Sequence, residues 1–432
     1  MISYEPVRGM KDYYGDELYK IKIVENTFLK IVKLADYKQV ETPIVEDFRL
    51  FALKGGEELR NTMYVFKDKA NREIALRPEF TPSIVRFYLN TLQHTPKPIR
   101  LYYLGTVYRY DEPQFGRYRE FRQAGVELLG SSSILADIEV LQILIQIYRE
   151  LNLLNKIQIK LNNIGIIRKI LSKMDIDEEK QEHILHLIDK NRINDALAEL
   201  PKSEYTNLLV IILNMNHLTE KDYMKLKEEI EEKYKLENLS QEIEKILFIE
   251  NIIKSLGINS YVDLGFVRGL AYYTGLIFEV THPSVPFSIA GGGRYDNLVE
   301  LYGGNPTPAV GFAIGVERTA LLLDNLQKNE IYPKIGIIIL SSEISASSED
   351  IIKYGIKILD ELRNNNYVAV LNLKYTSVSK LIPLYAEQGF SHLIFIGKKE
   401  LEEKLLTIKN LRTKEQVTVK EENLIEYLKQ TI

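Results

Sequence analysis

The stretch LYYLGTVYRYDEPQFGRYREFRQAGVELLG, residues 101–130, decides the fold. Its two halves are rich in β-branched and aromatic residues, and the DEPQFG between them holds a proline and a glycine. This composition predicts two antiparallel strands joined by a loop. Because side chains alternate between the faces of a strand, we expect one face of the second strand to carry four polar residues. These are Arg117, Arg119, Gln123 and Glu127, with open space over Gly125 between the last two.

The same hairpin is rich in arginine and lacks lysine, although the chain as a whole is lysine-rich. Its arginines, with the one just before it, are Arg100, Arg109, Arg117, Arg119 and Arg122. Crowded guanidinium groups repel one another unless an anion lies between them, and their planar forks match pairs of phosphate oxygens. The pattern therefore indicates a phosphate-binding face. A solvated face that carries charge for solubility is the alternative.

Composition excludes several classes of protein. The 432 residues include no cysteine, which removes disulfides, thiolate nucleophiles and Cys-ligated zinc. The six histidines are scattered, so we expect no structural zinc site. There is no apolar run of transmembrane length and no apolar signal core near the N-terminus, which predicts a cytoplasmic protein without a membrane partner. The net charge is −4, so a nucleic-acid partner would have to meet a local basic patch.

The N-terminal part reads as a helix followed by extended chain. Residues 19–36 have apolar residues at helical spacing, and the segment 38–51 is predicted to be extended because Pro43 blocks a helix. That extended segment could be a core strand or the edge of a dimer. Further on, Thr81 and Pro82 resemble a helix start, and Glu79 would share a face with Thr81. The pair could bind an ammonium group, or Thr81 could be a plain N-cap.

The middle of the chain is mostly helical. We predict a helix over 132–153, a strand over 157–163, and a largely helical insertion over 165–255 with dense Lys/Glu patterning. The insertion could be a module with its own partner or a helical cap. Strand signals return over 261–282.

Three further features stand after the insertion. Arg268 and Tyr272 share strand parity, and Tyr273 joins them only if a bulge or turn intervenes. Three consecutive glycines at 291–293 would let a ligand approach the backbone closely. Arg318 lies in the first turn of an apolar helix, where a charge needs an anionic partner. That partner could be an internal carboxylate or a ligand phosphate.

The C-terminal part is predicted to be a small α/β domain. Three short apolar strands, KIGIIIL, YVAVLNL and HLIFIGK, alternate with helical segments, which is typical of a parallel sheet. Residues 398–414 form a loosely basic stretch that fits either an RNA contact or an ordinary surface.

Taken together, these segments resemble the histidyl-tRNA synthetase family of class II aminoacyl-tRNA synthetases. The segments VETPIVEDFRLF, the Arg109 hairpin and GFAIGVERTALLL are similar to the three motifs of the class. FVRGLAYYTG (266–275) and AGGGRYDNL (290–298) resemble the two histidine signatures, LRPEFTPSIVR and VRGMKDY are also similar to family segments, and the tail resembles an anticodon-binding domain. The resemblance implies a catalytic α+β domain built on an antiparallel sheet with a helical insertion, followed by a small α/β domain. The expected boundaries are 1–164, 165–255, 256–326 and 327–432.

The resemblance also implies a reaction and a set of residues. The reaction is ATP-dependent ligation of L-histidine to its tRNA through a histidyl adenylate, by a homodimer that uses ATP with Mg²⁺. Arg268 and Arg109 are the implied catalytic residues, and Arg109, Arg117 and Arg318 are the implied ATP ligands. The implied histidine site comprises Glu79, Phe80, Thr81, Arg109, Gln123, Glu127, Arg268, Tyr272 and Tyr273. Glu79, Thr81 and Gln123 would hold the α-ammonium, whereas Glu127 and Tyr273, beside Tyr272, would contact the two imidazole nitrogens.

Two positions depart from the family pattern. Ala271 stands where versions of the first histidine signature more often have Asp, which bears on how Arg268 is oriented. Glu112 stands in the hairpin loop where bacterial relatives carry Arg, and Gln114 remains a candidate contact for the tRNA acceptor end. Two other functions share the scaffold: a non-catalytic paralogue such as the regulatory subunit of ATP phosphoribosyltransferase, and a synthetase for another amino acid.

Overall fold

The structure, a computed structural model, describes residues 4–55, 57–268, 272–324, 333–340, 346–373 and 377–431. The chain forms two compact units, Met1–Asn325 and Leu326–Ile432. Ala271 and the predicted boundary between 326 and 327 lie outside the described residues. None of the helices in the described part of the chain is long and apolar enough to cross a membrane.

The first unit is built on an eight-stranded sheet in the order β1-β5-β6-β11-β10-β9-β7-β8. Its strands are β1 (Lys38–Gln39), β5 (Ile99–Tyr108), β6 (Glu120–Leu129), β7 (Gln158–Asn163), β8 (Asn259–Val262), β9 (Leu276–Thr281), β10 (Ala290–Arg294) and β11 (Ala309–Gly315). The six strands from β5 to β7 in this order pair antiparallel, and only the edge strands β1 and β8 pair parallel. A three-stranded sheet comprises β2 (Val45–Asp47), β3 (Val65–Lys67) and β4 (Glu73–Leu76).

Helices surround this sheet. They are α1 (Gly15–Leu34), α2 (Arg49–Gly55), α3 (Thr81–Phe87), α4 (Ile134–Glu150), α5 (Ile164–Leu171), α6 (Glu178–Asp189), α7 (Ile193–Ala198), α8 (Glu204–Leu213), α9 (Glu220–Glu232), α10 (Glu237–Ser255), α11 (Leu298–Leu301) and α12 (Val316–Ala320). Helices α1, α4 and α12 pack on β6 and cover one face of the central strands. Ala124, Val126 and Leu128 are buried under them. The side chains of the odd-numbered residues of β6 lie on the opposite face of the sheet.

The second unit is a five-stranded sheet with helices. Its strands are β12 (Lys334–Ile339), β13 (Val368–Leu371), β14 (His392–Ile396), β15 (Leu405–Asn410) and β16 (Gln416–Lys420), in the order β13-β12-β14-β15-β16. Its helices are α13 (Ala346–Asn364), α14 (Val378–Glu387), α15 (Lys398–Glu403) and α16 (Leu424–Thr431). The three predicted strands are parallel, and β15 and β16 add an antiparallel pair that the sequence did not indicate.

The predicted fold class is confirmed, although two predicted strands were too long. The segment from 38 to 51 is not extended throughout, because α2 begins at Arg49, directly after β2. Residues 261–282 are not one strand either: β8 ends at Val262 and β9 begins at Leu276. Residues 263–268 and 272–275 lie outside the strands, so strand alternation does not relate Tyr273 to Arg268.

Candidate active site

The open face of β6, β10 and β11 forms the floor of a pocket. Strand register places Glu127 opposite Gly311, and a Cβ at Gly311 would lie 1.8 Å from Glu127 Oε2. Similarly, a Cβ at Gly291 would lie 1.7 Å from Arg268 Nη1. The glycines therefore let a carboxylate and a guanidinium lie flat on the sheet. Gly291 itself lines the pocket, and the expectation that the glycine run lets a ligand approach the backbone closely stays a prediction.

Most of the predicted site residues meet in this pocket although they are far apart in sequence. The lining includes Glu79, Thr81, Arg109, Gln123, Glu127, Arg268, Tyr272, Tyr273 and Arg318. Arg117 lines an adjoining pocket together with Arg109 and Arg318. Phe80 is not among the lining residues. The Phe80 ring stacks on the ring of Tyr103, with 4.2 Å between the two ring centroids. The guanidinium carbon of Arg77 lies 3.9 Å from the centroid of the Phe80 ring.

Glu127 is the most deeply buried acid of the pocket, with 1 % of its surface exposed. The hydroxyl of Thr81 donates to Glu127 Oε1 at 2.7 Å, and the hydroxyl of Tyr295 donates to Oε2. Burial raises the pKa of Glu127 to about 8, although both hydrogen bonds act in the opposite direction. Thr81 therefore uses its hydroxyl proton on Glu127 and does not cap α3, whose N-cap residue is Phe80.

Glu79 and Gln123 offer oxygen acceptors at another part of the pocket. The Tyr272 hydroxyl donates to Glu79 Oε2 at 2.8 Å. Burial raises the pKa of Glu79, and the nearby Arg109 guanidinium opposes that rise. The side-chain oxygen of Gln123 is buried without a hydrogen-bond partner among the described residues. An ammonium group would supply the missing donor, because buried acceptors are normally paired.

Three arginines of the pocket are held by backbone carbonyl groups. Arg109 Nε donates to Pro78 O at 3.0 Å and Arg268 Nη1 donates to Phe278 O at 2.9 Å. Arg318 donates to Gly116 O at 2.7 Å and to Ser288 O at 3.0 Å. Within the described chain, none of the three has a carboxylate oxygen within 4.0 Å of its guanidinium.

The crowding of these cations acts on Arg318. Burial, and then the positive charges of Arg109 and Arg117, lower the pKa of Arg318 to about 10. Neighbouring positive charges disfavour the protonated form of a guanidinium group, and a bound polyanion relieves that repulsion. Of the two partners considered for Arg318, no carboxylate oxygen of the described residues lies within 4.0 Å of the guanidinium, and Asp111 acts on it only at longer range.

The other hairpin arginines do not join this cluster. Arg100 pairs with Glu139 at 2.7 Å, and Arg122 pairs with Glu317 at 2.8 Å on the helix-covered face. Arg119 donates to Asp111 O and stacks on Tyr110. The predicted row of arginines on one face was therefore wrong at Arg119. Strand β6 begins only at Glu120, so strand alternation does not extend to the residues before it.

The space predicted over Gly125 is filled. Tyr103 lies opposite Gly125 on β5, and a Cβ at Gly125 would lie 2.4 Å from its hydroxyl oxygen. Several lining residues were not predicted from the sequence, among them Tyr103, Phe121 and Tyr295. Tyr295 stands inside the quoted AGGGRYDNL segment, directly after the glycine run, and this position was a usable signal. Nothing in the local pattern distinguishes Tyr103 from the other aromatic residues of its strand.

No group of three His, Asp or Glu side chains in the described chain could hold a metal ion. What the pocket offers is a pair of carboxylates with a free amide oxygen at one side and a cluster of guanidinium groups at the other. Such a site can hold an amino-acid ammonium beside a phosphorylated ligand, with the negative charges of the ligand turned towards the arginines.

Comparison with known proteins gives concordant results. A family model described as histidyl-tRNA synthetase matches residues 9–319, and one described as anticodon binding domain matches residues 334–431. A histidine–tRNA ligase of Sulfurisphaera tokodaii is 71 % identical over the whole of both chains. The apo histidyl-tRNA synthetase structure from Staphylococcus aureus has a TM-score of 0.70 at 26 % identity and covers 99 % of each chain.

A further solved structure shares the fold at lower identity. It is titled an ATP phosphoribosyltransferase regulatory subunit/histidyl-tRNA synthetase from Bacillus halodurans, and it has a TM-score of 0.75 at 20 % identity. It covers 92 % of this chain and 99 % of its own. At that identity the match establishes the fold alone.

Proposed function

The chain belongs to the histidyl-tRNA synthetase family, and from this membership we propose that it forms histidyl adenylate from L-histidine and ATP and transfers the histidyl group to tRNA. It is an aminoacyl-tRNA ligase of the histidine type. The observation that supports the adenylate step is the meeting of Arg109, Arg268 and Arg318 around one pocket that also holds a buried Glu127.

In the proposed first step, a carboxylate oxygen of histidine attacks the α-phosphorus of ATP. An oxygen–phosphorus bond forms, the bond between the α-phosphorus and the bridging oxygen breaks, and pyrophosphate leaves. Both reactants are anions, so fixed positive charge is required. Arg268 would lie between the histidine carboxylate and the α-phosphate, Arg109 on the α-phosphate, and Arg117 and Arg318 beside the nucleotide. Mg²⁺ is expected to arrive with the ATP phosphates.

Selection of histidine would depend on the two ring nitrogens. Glu127 and Tyr273 both line the pocket, and a carboxylate and a phenol can each meet one imidazole nitrogen. An apolar amino acid of similar size would leave these buried groups unpaired, which costs far more than a missing methylene. Glu79, Thr81 and Gln123 would hold the α-ammonium. Tyr272, whose hydroxyl is committed to Glu79, would orient that acceptor and contact the ring only through its edge.

The second step would pass the acyl group to tRNA. A hydroxyl of the terminal ribose attacks the carbonyl carbon, the new ester bond forms, and AMP leaves. We propose that the second unit, which matches an anticodon-binding model, contacts the tRNA. We further propose a cytoplasmic homodimer in which residues 1–164 and 256–326 form the catalytic domain, 165–255 the helical insertion and 327–432 the anticodon-binding domain.

ATP–pyrophosphate exchange measured with each of the twenty amino acids tests this function. Exchange with histidine alone, followed by charging of histidine tRNA, is expected. Exchange with a different amino acid would indicate another synthetase on this scaffold, and no exchange at all would indicate the non-catalytic paralogue.

Arg268→Ala tests the central residue. Removing the guanidinium is expected to lower the exchange rate by about 100-fold or more, the size of effect seen when one charge-stabilising group is lost. The circular dichroism spectrum and melting temperature should stay unchanged. Arg192→Ala, at an exposed ion pair with Asp195 far from the pocket lining, is the matched control. Wild-type exchange in the Arg268 variant would contradict the role proposed for it.

A further inference from the structure

Phe287 lies in the loop 282–289 between β9 and β10 and makes contacts to which the proposed function assigns no role. Neither this loop nor its aromatic residue was singled out in the sequence. The Arg318 guanidinium carbon lies 4.9 Å from the centroid of the Phe287 ring. Phe287 does not line either pocket that Arg318 lines. The ring therefore contacts the guanidinium without lining the pockets that the guanidinium lines.

Two hydrogen bonds to backbone oxygens fix the orientation of the Arg318 guanidinium. Its Nε donates to Gly116 O and its Nη1 donates to Ser288 O, the residue after Phe287. Both acceptors are uncharged, so these bonds orient the group without neutralising it. The ring and two backbone oxygens thus hold the guanidinium, and Arg318 still lines both pockets.

Phe287 also touches the tip of the hairpin loop. Gly116 has a φ of +68°, and a Cβ there would lie 2.2 Å from two carbon atoms of the Phe287 ring. The ring of Phe115, which is 65 % exposed, lies 5.9 Å from the Phe287 ring at 48°. One aromatic ring therefore contacts both the loop that carries Gly116 and the arginine that the loop carbonyl holds.

We propose that Phe287 is a positioning residue for the nucleotide, acting through Arg318 and Gly116. It holds the guanidinium of Arg318 in the orientation that receives the ATP, and it keeps the hairpin tip close enough for Gly116 O to accept the hydrogen bond. This inference rests on the proposed function, since it assigns a determinant of ATP binding in the adenylate step.

Steady-state ATP–pyrophosphate exchange with Phe287→Ala is the first test. A partly desolvated cation–π contact corresponds to about a tenfold change in binding, so the KM for ATP should rise by about tenfold. The kcat and the KM for histidine should stay within about twofold of wild type. Phe287→Tyr keeps the ring and should restore the ATP KM, whereas Phe287→Leu should be intermediate. Phe248→Ala, at a half-exposed residue of α10, is the control.

A double-mutant cycle separates the ring contact from general damage. Gly116→Ala introduces a Cβ that meets the Phe287 ring, and it also carries the cost of an alanine at a left-handed φ. That second cost is the same with or without the ring. The rise in ATP KM caused by Gly116→Ala should therefore be smaller in the Phe287→Ala background than in wild type.

The outcomes distinguish this inference from the function on which it depends. An active wild type with an unchanged ATP KM in Phe287→Ala, or an equal rise in the KM values for ATP and histidine, would overturn the positioning role alone. Additive effects in the Gly116 cycle would overturn the contact with the hairpin tip. A wild-type chain without exchange for any amino acid would overturn both the function and this inference.

Discussion

At the scale of single residues, Glu127 combines almost complete burial with two hydrogen-bond donors. Its pKa of about 8 lies well above the ordinary value of 4.5. Between these two pH values the folded chain keeps a proton that the unfolded chain releases. The free energy of unfolding should therefore fall as pH rises from 5 to 8, by at most about 1.4 kcal/mol per pH unit for one proton.

Glu127→Gln should remove that contribution, because the amide does not titrate. Urea unfolding at several pH values should show that the wild-type stability falls with pH relative to the variant. Glu139→Gln is the control, since hydrogen bonds from Arg100 lower the pKa of Glu139 and its contribution is already constant above pH 5. A wild type and a Glu127→Gln variant with parallel pH profiles would contradict the raised pKa.

Tyr295 supplies the second prediction at this scale. Tyr295→Phe removes the donor to Glu127 Oε2 and leaves the Thr81 hydroxyl on Oε1. Losing a hydrogen bond between neutral groups costs about 1 kcal/mol, so the histidine KM in exchange should rise by about fivefold. Tyr64→Phe is the matched control, since no hydrogen-bond partner of the Tyr64 hydroxyl is found in the described chain. Equal KM values in the two variants would exclude Tyr295 from histidine binding.

At the scale of elements, the sequence predicted the β5–β6 hairpin because propensity, the loop residues and alternation all agreed there. Alternation also placed Gln123 and Glu127 on one face, and the structure brings both to the pocket. It failed at Arg119, which precedes the first residue of the strand, and at 263–268 and 272–275, which lie outside the strands. Local patterns carry no information about which distant side chain fills the space over a glycine, so the place of Tyr103 could not be predicted.

The glycines of β10 give a prediction that belongs to the strand. In Gly291→Ala the new Cβ would meet the end of the flexible Arg268 side chain, which can move away. In Gly292→Ala it would lie 2.1 Å from the backbone oxygen of Gly311, which cannot move without disturbing the sheet. Gly291→Ala should therefore lose about 100-fold in exchange rate and keep its melting temperature. Gly292→Ala should lose about 1–3 kcal/mol of stability.

Thermal unfolding and exchange assays on the two variants make the comparison. A destabilised Gly291→Ala with normal exchange would show that the glycine serves packing and that Arg268 has room elsewhere. A stable and fully active Gly292→Ala would show that β10 and β11 can separate slightly at this point.

At the scale of the whole molecule, the two units have separate cores. A large apolar cluster and a smaller one around Phe48 lie in the first unit, and two others, around Ile337 and Leu393, lie in the second. The sequence indicated this division because the pattern changes near residue 330 from antiparallel strand signals to alternating strands and helices. The antiparallel strands β15 and β16 were missed because their alternating polar residues resemble a basic surface segment.

This division predicts where ATP should stabilise the chain. All the arginines of the pocket belong to the first unit. A ligand present at 100 times its dissociation constant stabilises the state that binds it by about 2.7 kcal/mol. Hydrogen exchange with MgATP should therefore be slowed in β5, β6, β10 and β11, by up to about 100-fold for amides that exchange through global unfolding of that unit. Amides of β12 and β14 should exchange at the rates of the free protein, with sodium sulfate at equal ionic strength as the control. Equal protection of both units would mean that the chain unfolds as a single cooperative body. Protection of β12 and β14 alone would place the nucleotide in the second unit and contradict an adenylate site on the first.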